Sequence, residues 1–157
     1  MRQKIKLVGA GGVWQVLGER ADSSVVRQLN SLSCVAATGE MLLRARGITH
    51  ITQAEIVAIV GAPSDVVSLA QYFNSLKVSG NGWRAGGFDI KSFPAVLKLQ
   101  NWGAVLREGS PLGHLVMVEE MDEKGLLKIK DPFDQTSYRM TKQELLKHLS
   151  EIIVELP

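Results

Sequence analysis

The chain contains one cysteine, Cys34, and this residue stands where a helical pattern begins. From Cys34 to Arg46, apolar residues recur at helical spacing along one face, and Gly47 follows as a stop signal. Ser31 and Ser33 are candidate caps for the start of this helix. The attacking form of a thiol is the thiolate, which the positive end of a helix dipole favours. The sequence therefore predicts Cys34 as a nucleophile.

A thiol nucleophile needs a base, and the base needs a third group that holds its tautomer. His114 opens one β-forming run and Asp131 ends the next, with a turn at residues 122–125 between them. Because antiparallel neighbours bring such ends to one sheet edge, we expect His114 to act as the base and Asp131 to orient it. An oxyanion hole needs two donors. We expect them to be the backbone N–H of Cys34 and the side chain of Gln28, six residues upstream.

Each of these four residues also has a purely structural interpretation. Cys34 fits an inert buried thiol, and His114 fits a strand-end histidine satisfied by backbone groups. Asp131 precedes a proline and fits a turn former, and Gln28 fits a surface residue. Their order, on elements that suit the mechanism, favours the functional interpretation.

The remaining patterns predict helices in the first half of the chain and strands in the second. The further predicted helices run from the Thr52–Glu55 capping box to Gly61, from a Ser64 cap through Leu76, and after the Thr141–Glu144 capping box. The predicted strands are Gly103–Arg107, His114–Glu120, Leu126–Lys130 and Ile152–Leu156. Helices followed by a meander of antiparallel strands indicate an α+β domain, with no linker or repeat to divide it.

The order of these motifs resembles the papain-like C39 peptidase family. The matching features are Gln28-x5-Cys34, a helix, the run from Gly113 to Val118, and Asp131-Pro132 seventeen residues after His114. The resemblance implies a helical half packed on an antiparallel sheet half, with residues 26–157 as the peptidase domain and 1–25 as its N-terminal extension. It also implies a Cys-His-Asp triad that hydrolyses peptide bonds without a cofactor. That family processes leader peptides, often after a double glycine.

Two departures from the family pattern keep other functions open. Family members usually carry an acidic residue before the cysteine and often a glycine after it, where this chain has Ser33 and Val35. Similar papain-fold domains occur at the C-terminal ends of bacterial polymorphic toxins, which implies a deamidase or acyltransferase with an immunity or inhibitor protein as partner. A non-catalytic peptide-binding module is a third alternative, although retention of Cys34 speaks against it.

Composition excludes several classes of function. The chain has 157 residues, of which 45% are hydrophobic and 22% charged, as in one ordinary globular domain. A net charge of +2, without a basic run interleaved with aromatics, argues against nucleic-acid binding. No apolar run approaches the roughly 20 residues that span a bilayer, and residues 1–17 lack the pattern of a Sec signal. We expect no membrane insertion, and a location in the cytoplasm or in a larger exported effector.

Several other features of the sequence predict no site. Gly9–Gly12 follows a β-forming run, but the dinucleotide fingerprint fails because its third glycine position holds Trp14. The run Trp83–Phe88 predicts a surface turn, and His50 and His148 are expected to face solvent. No His/Cys cluster has zinc-ligand spacing, so we expect neither a metal nor a cofactor.

Overall fold

The computed structural model describes residues 13–77, 82–108 and 113–156. The interpretations given to residues 1–12, no Sec signal and no dinucleotide-binding loop, lie outside these described residues. Within the described ranges, no helix is long and apolar enough to cross a membrane.

The predicted helices are confirmed, with ends that shift by one or two residues. They correspond to α1 (Cys34–Arg44), α2 (Gln53–Val60), α3 (Val66–Leu76) and α5 (Lys142–His148), and the short α4 (Phe93–Val96) was not predicted. The prediction that Ser64 caps α3 is wrong: Asp65 occupies the cap and accepts a hydrogen bond from the backbone N–H of Ser68 at 2.8 Å. Ser33 precedes α1, but its side chain makes no capping bond.

The strands form one antiparallel sheet in the order β1-β6-β5-β4-β3-β7-β2. The strands are β1 (Leu17–Ala21), β2 (Trp83–Gly87), β3 (Trp102–Arg107), β4 (Gly113–Met121), β5 (Leu126–Asp131), β6 (Thr136–Thr141) and β7 (Leu149–Glu155). The central β3, β4 and β5 coincide with predicted strands. The α+β prediction, a helical part packed on an antiparallel sheet, is therefore confirmed.

Residues 83–87 form the edge strand β2, so the prediction of a surface turn in Trp83–Phe88 is wrong. β2 pairs with β7 in continuous register from Trp83 to Gly87. Trp83 is buried because its ring meets Phe73 edge-on at 4.7 Å and the guanidinium of Arg46 lies 4.4 Å above it. Tertiary pairing thus overrides the weak strand propensity of a glycine-rich segment.

Two apolar cores lie on opposite faces of the sheet, and the first fixes the start of α1. In that core α1, α2 and α3 cluster with Leu115 and Met117 of β4, whereas Val116 lies in the second core with residues of α4 and α5. Thr38, one turn after Cys34, donates its hydroxyl hydrogen bond to the carbonyl oxygen of Leu115 at 3.0 Å. This buried bond ties the first turn of α1 to the residue that follows His114.

Candidate active site

His114 and Asp131 form a buried hydrogen-bonded pair on adjacent strands. Nε2 of His114 lies 2.6 Å from Oδ1 of Asp131, and the two residues are 2% and 5% exposed. Met117 of β4 pairs with Lys130 of β5, so continuing the register places Asp131 beside Val116. His114 is then its diagonal neighbour on the same face of the sheet.

Three further groups hold the Asp131 carboxylate and the His114 ring in place. The hydroxyl of Tyr138 donates to Oδ2 of Asp131 at 2.7 Å, and the backbone N–H of Phe133 donates to Oδ1 at 3.0 Å. Nε1–H of Trp14 donates to the Tyr138 hydroxyl at 3.1 Å. The Trp14 ring also stacks on His114, with centroids 5.9 Å apart and planes 14° apart. The carboxylate is therefore fixed at both oxygens.

Sequence reasoning missed both Tyr138 and Trp14. The alternation in Thr136–Thr141, with Tyr138 and Met140 buried, was a usable signal for an inward-facing Tyr138. Trp14 gave no such signal, because its partner Tyr138 lies 124 residues away in the sequence.

Cys34 is the first residue of α1 and is fully buried. Its thiol is close enough to His114 to raise the pKa of the imidazole. Nδ1 is the ring nitrogen that Asp131 leaves free, and it has no partner at normal hydrogen-bond distance among the described residues. The structure thus brings the predicted nucleophile close to the predicted base. Catalytic hydrogen bonds are often long in free enzymes and shorten when the substrate binds.

Gln28 is buried in the segment that leads into α1. Its side-chain Nε2 donates to the carbonyl oxygen of Asn30 at 2.8 Å, and its backbone N–H donates to the carbonyl oxygen of Pro132 at 3.0 Å. The same Asn30 carbonyl accepts from the hydroxyl of Ser33, the residue before Cys34, at 3.1 Å. One of the two side-chain N–H groups of Gln28 is thereby used, and the other is left to donate elsewhere.

The charges of this site favour a protonated histidine and an ionised aspartate. Burial lowers the pKa of His114, but the hydrogen bond to Asp131 and the nearby Cys34 outweigh it and raise that pKa to about 9. Burial raises the pKa of Asp131, yet the bonds from His114 and Tyr138 bring it below its usual value. Burial and the charge of Asp131 raise the pKa of Tyr138 well above 10, so its hydroxyl remains a donor.

We expect Tyr138→Phe to lower the free energy of unfolding by about 2 kcal/mol. The substitution leaves Oδ2 of Asp131 and Nε1 of Trp14 buried without their partner. Urea denaturation measures the change. Tyr72→Phe is the matched control, because Tyr72 is the only other tyrosine and is half-buried on α3. An equal free energy of unfolding in the two variants would contradict a stabilising role for the hydrogen bonds of the Tyr138 hydroxyl.

The other two histidines lie outside this cluster. His50 is exposed, as expected. The expectation that His148 faces solvent is wrong: its Nδ1 lies 3.0 Å from the carbonyl oxygen of Arg107, and its Nε2 lies 3.1 Å from Glu144. The ring of His148 also meets the ring of Trp14 edge-on, with centroids 5.9 Å apart. His148 therefore helps to position the Trp14 ring that stacks on His114.

This architecture is the fold of C39 peptidase domains. The peptidase domain of Streptococcus ComA, a bifunctional ABC transporter involved in quorum sensing, superposes with a TM-score of 0.67 at 16% identity, over 84% of this chain and 96% of that domain. A double glycine motif protease from an AMS/PCAT transporter, solved in complex with the leader peptide, gives a TM-score of 0.65 at 16% identity, over 89% and 96% of the two chains. The predicted C39-like fold is confirmed.

A sequence relative comes from Escherichia coli O1:K1:H7 and is named cysteine protease effector 1. This chain is 38% identical to it over 137 residues, which is 87% of this chain and 27% of that protein. The chain therefore spans about a quarter of the length of this curated relative. No family model matches the chain. The name of the relative agrees with the prediction of a cysteine peptidase, and the C39 domains agree with the predicted fold.

Proposed function

We propose that the chain is a papain-like cysteine peptidase domain that hydrolyses peptide bonds through Cys34, His114 and Asp131. The observation that carries this proposal is the buried 2.6 Å bond between His114 and Asp131, which leaves the other ring nitrogen free near a cysteine at a helix start. The similarity to a protein named cysteine protease effector 1 supports the same chemistry.

Catalysis follows from the roles of these groups. Transfer of the thiol proton to the imidazole of His114 gives a thiolate beside the imidazolium that the raised pKa favours, and the Cys34 thiolate attacks the carbonyl carbon of the scissile peptide bond. The backbone N–H of Cys34 and the free side-chain N–H of Gln28 donate to the oxyanion. The imidazolium then protonates the leaving amine, and a thioester forms at Cys34. Water, deprotonated by His114, hydrolyses the thioester and restores the thiol.

Exposed apolar residues next to the site favour a peptide or protein substrate. Leu29 follows Gln28 and is 65% exposed, while Leu32 and Phe133 are each 39% exposed. Phe133 meets His114 edge-on at 6.4 Å. Exposed apolar surface beside a site is typical of contact with a partner chain. In an effector, such an activity would be paired with an inhibitor protein in the producing cell.

The test is digestion of a bacterial peptide library, supplemented with Gly-Gly-containing peptides because one structural neighbour is a double glycine motif protease. Mass spectrometry would identify the products, with the Cys34→Ala protein as the blank. We expect new peptide termini that are absent from the blank. Mass increases of about one dalton without cleavage would assign the site to deamidation instead, since both reactions share an acyl-enzyme. No change of either kind, from a thiol no more reactive than free cysteine, would favour a binding module.

A further inference from the structure

The side-chain amide of Gln53 bridges the backbone on both sides of Gln28. Nε2 of Gln53 donates to the carbonyl oxygen of Arg27 at 2.6 Å, and Oε1 accepts from the backbone N–H of Leu29 at 3.1 Å. A neighbouring β-strand would pair with residue 28 in the same way. Gln53 is only 7% exposed, so water does not compete freely for these bonds.

Gln53 is itself anchored to the helix that carries Cys34. Its backbone N–H, at the start of α2, donates to Oε1 of Glu40 at 2.6 Å. Glu40 lies on α1 and is 4% exposed, and its other oxygen pairs with Arg44 at 2.5 Å. Gln53 and Glu40 therefore form one polar network that joins the backbone around Gln28 to α1, the helix that begins with Cys34.

This network leaves the backbone at Gln28 little freedom. The N–H of Gln28 is bonded to Pro132, next to Asp131, and both flanking peptide groups are bonded to Gln53. Oε1 of Gln28 is buried without a partner among the described residues. An unpaired buried acceptor costs stability, so the orientation of the Gln28 amide is one that its neighbours impose.

We propose that Gln53 is a positioning residue for the oxyanion hole: it clamps the backbone around Gln28 and so aims the side-chain N–H of Gln28 at the developing oxyanion. This inference rests on the proposed peptidase function. Gln53 does not touch the substrate, and it acts on the rate only through Gln28.

The test compares two reactions of Cys34 that differ in their need for an oxyanion hole. A peptide aldehyde, acetyl-Leu-Gly-Gly-aldehyde, forms a hemithioacetal whose oxygen occupies the hole, whereas iodoacetamide alkylates the thiol without forming an oxyanion. In Gln53→Met, which keeps the side-chain length but removes both hydrogen bonds, we expect kcat and aldehyde affinity to fall by about tenfold, a part of the loss seen when an oxyanion donor is deleted. KM and the alkylation rate should stay within about twofold of wild type, since neither depends on the hole.

Gln71→Ala is the matched control, because Gln71 is an exposed glutamine on α3; it should behave as wild type. Gln28→Ala and the double variant Gln28→Ala/Gln53→Met should lose the same activity, because a residue that acts only through Gln28 adds nothing once Gln28 is gone. If circular dichroism shows that Gln53→Met does not fold, Glu40→Gln replaces it in the experiment. This variant keeps an acceptor for the backbone N–H of Gln53, so we expect a smaller loss of kcat and of aldehyde affinity.

The results that would overturn the positioning role of Gln53 differ from those that would overturn the peptidase function. If Gln28→Ala loses activity while Gln53→Met and Gln71→Ala both match wild type, the positioning role is overturned and the peptidase function stands. A drop in alkylation rate equal to the drop in aldehyde affinity would also overturn it, because it would indicate general disruption of the site. A wild-type thiol that reacts with neither probe would refute the proposed function, and this inference with it.

Discussion

Cys34→Ala is expected to lower kcat/KM for peptide hydrolysis by at least about 10³-fold, because no thioester can form. The loss should not reflect unfolding. Cys34 is fully buried at the first position of α1, and the change to alanine removes only the sulfur atom and keeps a residue that favours helix. The measurement is the cleavage rate of the peptide cut fastest in the library, with the melting temperature of each variant taken in parallel.

Cys34→Ser sharpens this experiment. Serine keeps nearly the same shape, but its hydroxyl is a far weaker nucleophile unless a base activates it strongly. We expect Cys34→Ser to be about as inactive as Cys34→Ala, with the wild-type fold. Hydrolysis that persists in either variant would refute Cys34 as the nucleophile.

The site residues were predictable because their signals are local. Cys34 begins a helical pattern, His114 opens a β-forming run, and an Asp-Pro pair ends the next strand. Those signals fix which elements the residues occupy, and antiparallel pairing of β4 and β5 then brings His114 to Asp131. The C39-like order of the motifs supplied the overall arrangement of helices and sheet.

The supporting groups were not predictable, since they come from distant parts of the chain. Trp14 reaches Tyr138 across 124 residues, and Gln53 reaches the backbone of Arg27 across 26. No spacing rule connects such pairs, because tertiary packing alone brings them together. The edge strand β2 was not predicted for a related reason. Its conformation is determined by its pairing with β7, a distant part of the chain, and not by the local preference of its glycines.

His114→Ala is the second large prediction, with an expected loss of about 10³-fold in kcat/KM, because the variant loses both the base and the acid of the reaction. His50→Ala is the matched control, since His50 is exposed and outside the site. Activity of His114→Ala close to that of His50→Ala would rule out His114 as the base.

The pH dependence of the wild-type enzyme tests the same residue without removing it. Leaving-group protonation needs the imidazolium, and the pKa of His114 is raised to about 9, so kcat/KM should fall as the pH rises through about 9. The same shift contributes stability that is fully present below about pH 6.5 and disappears as His114 loses its proton. Asp131→Asn removes the carboxylate that raises this pKa, and the alkaline limb should move to lower pH.

The size of the loss in Asp131→Asn separates orientation from direct participation. The amide oxygen of asparagine can still accept from Nε2 of His114 and from the N–H of Phe133, while its NH₂ group faces the Tyr138 hydroxyl. We therefore expect a smaller loss than in Cys34→Ala, together with the shifted limb. If the fall of kcat/KM stays near pH 9 in Asp131→Asn, a group other than His114 titrates in that range. The carboxylate of Asp131 would then have no influence on the ionisation that lowers the rate.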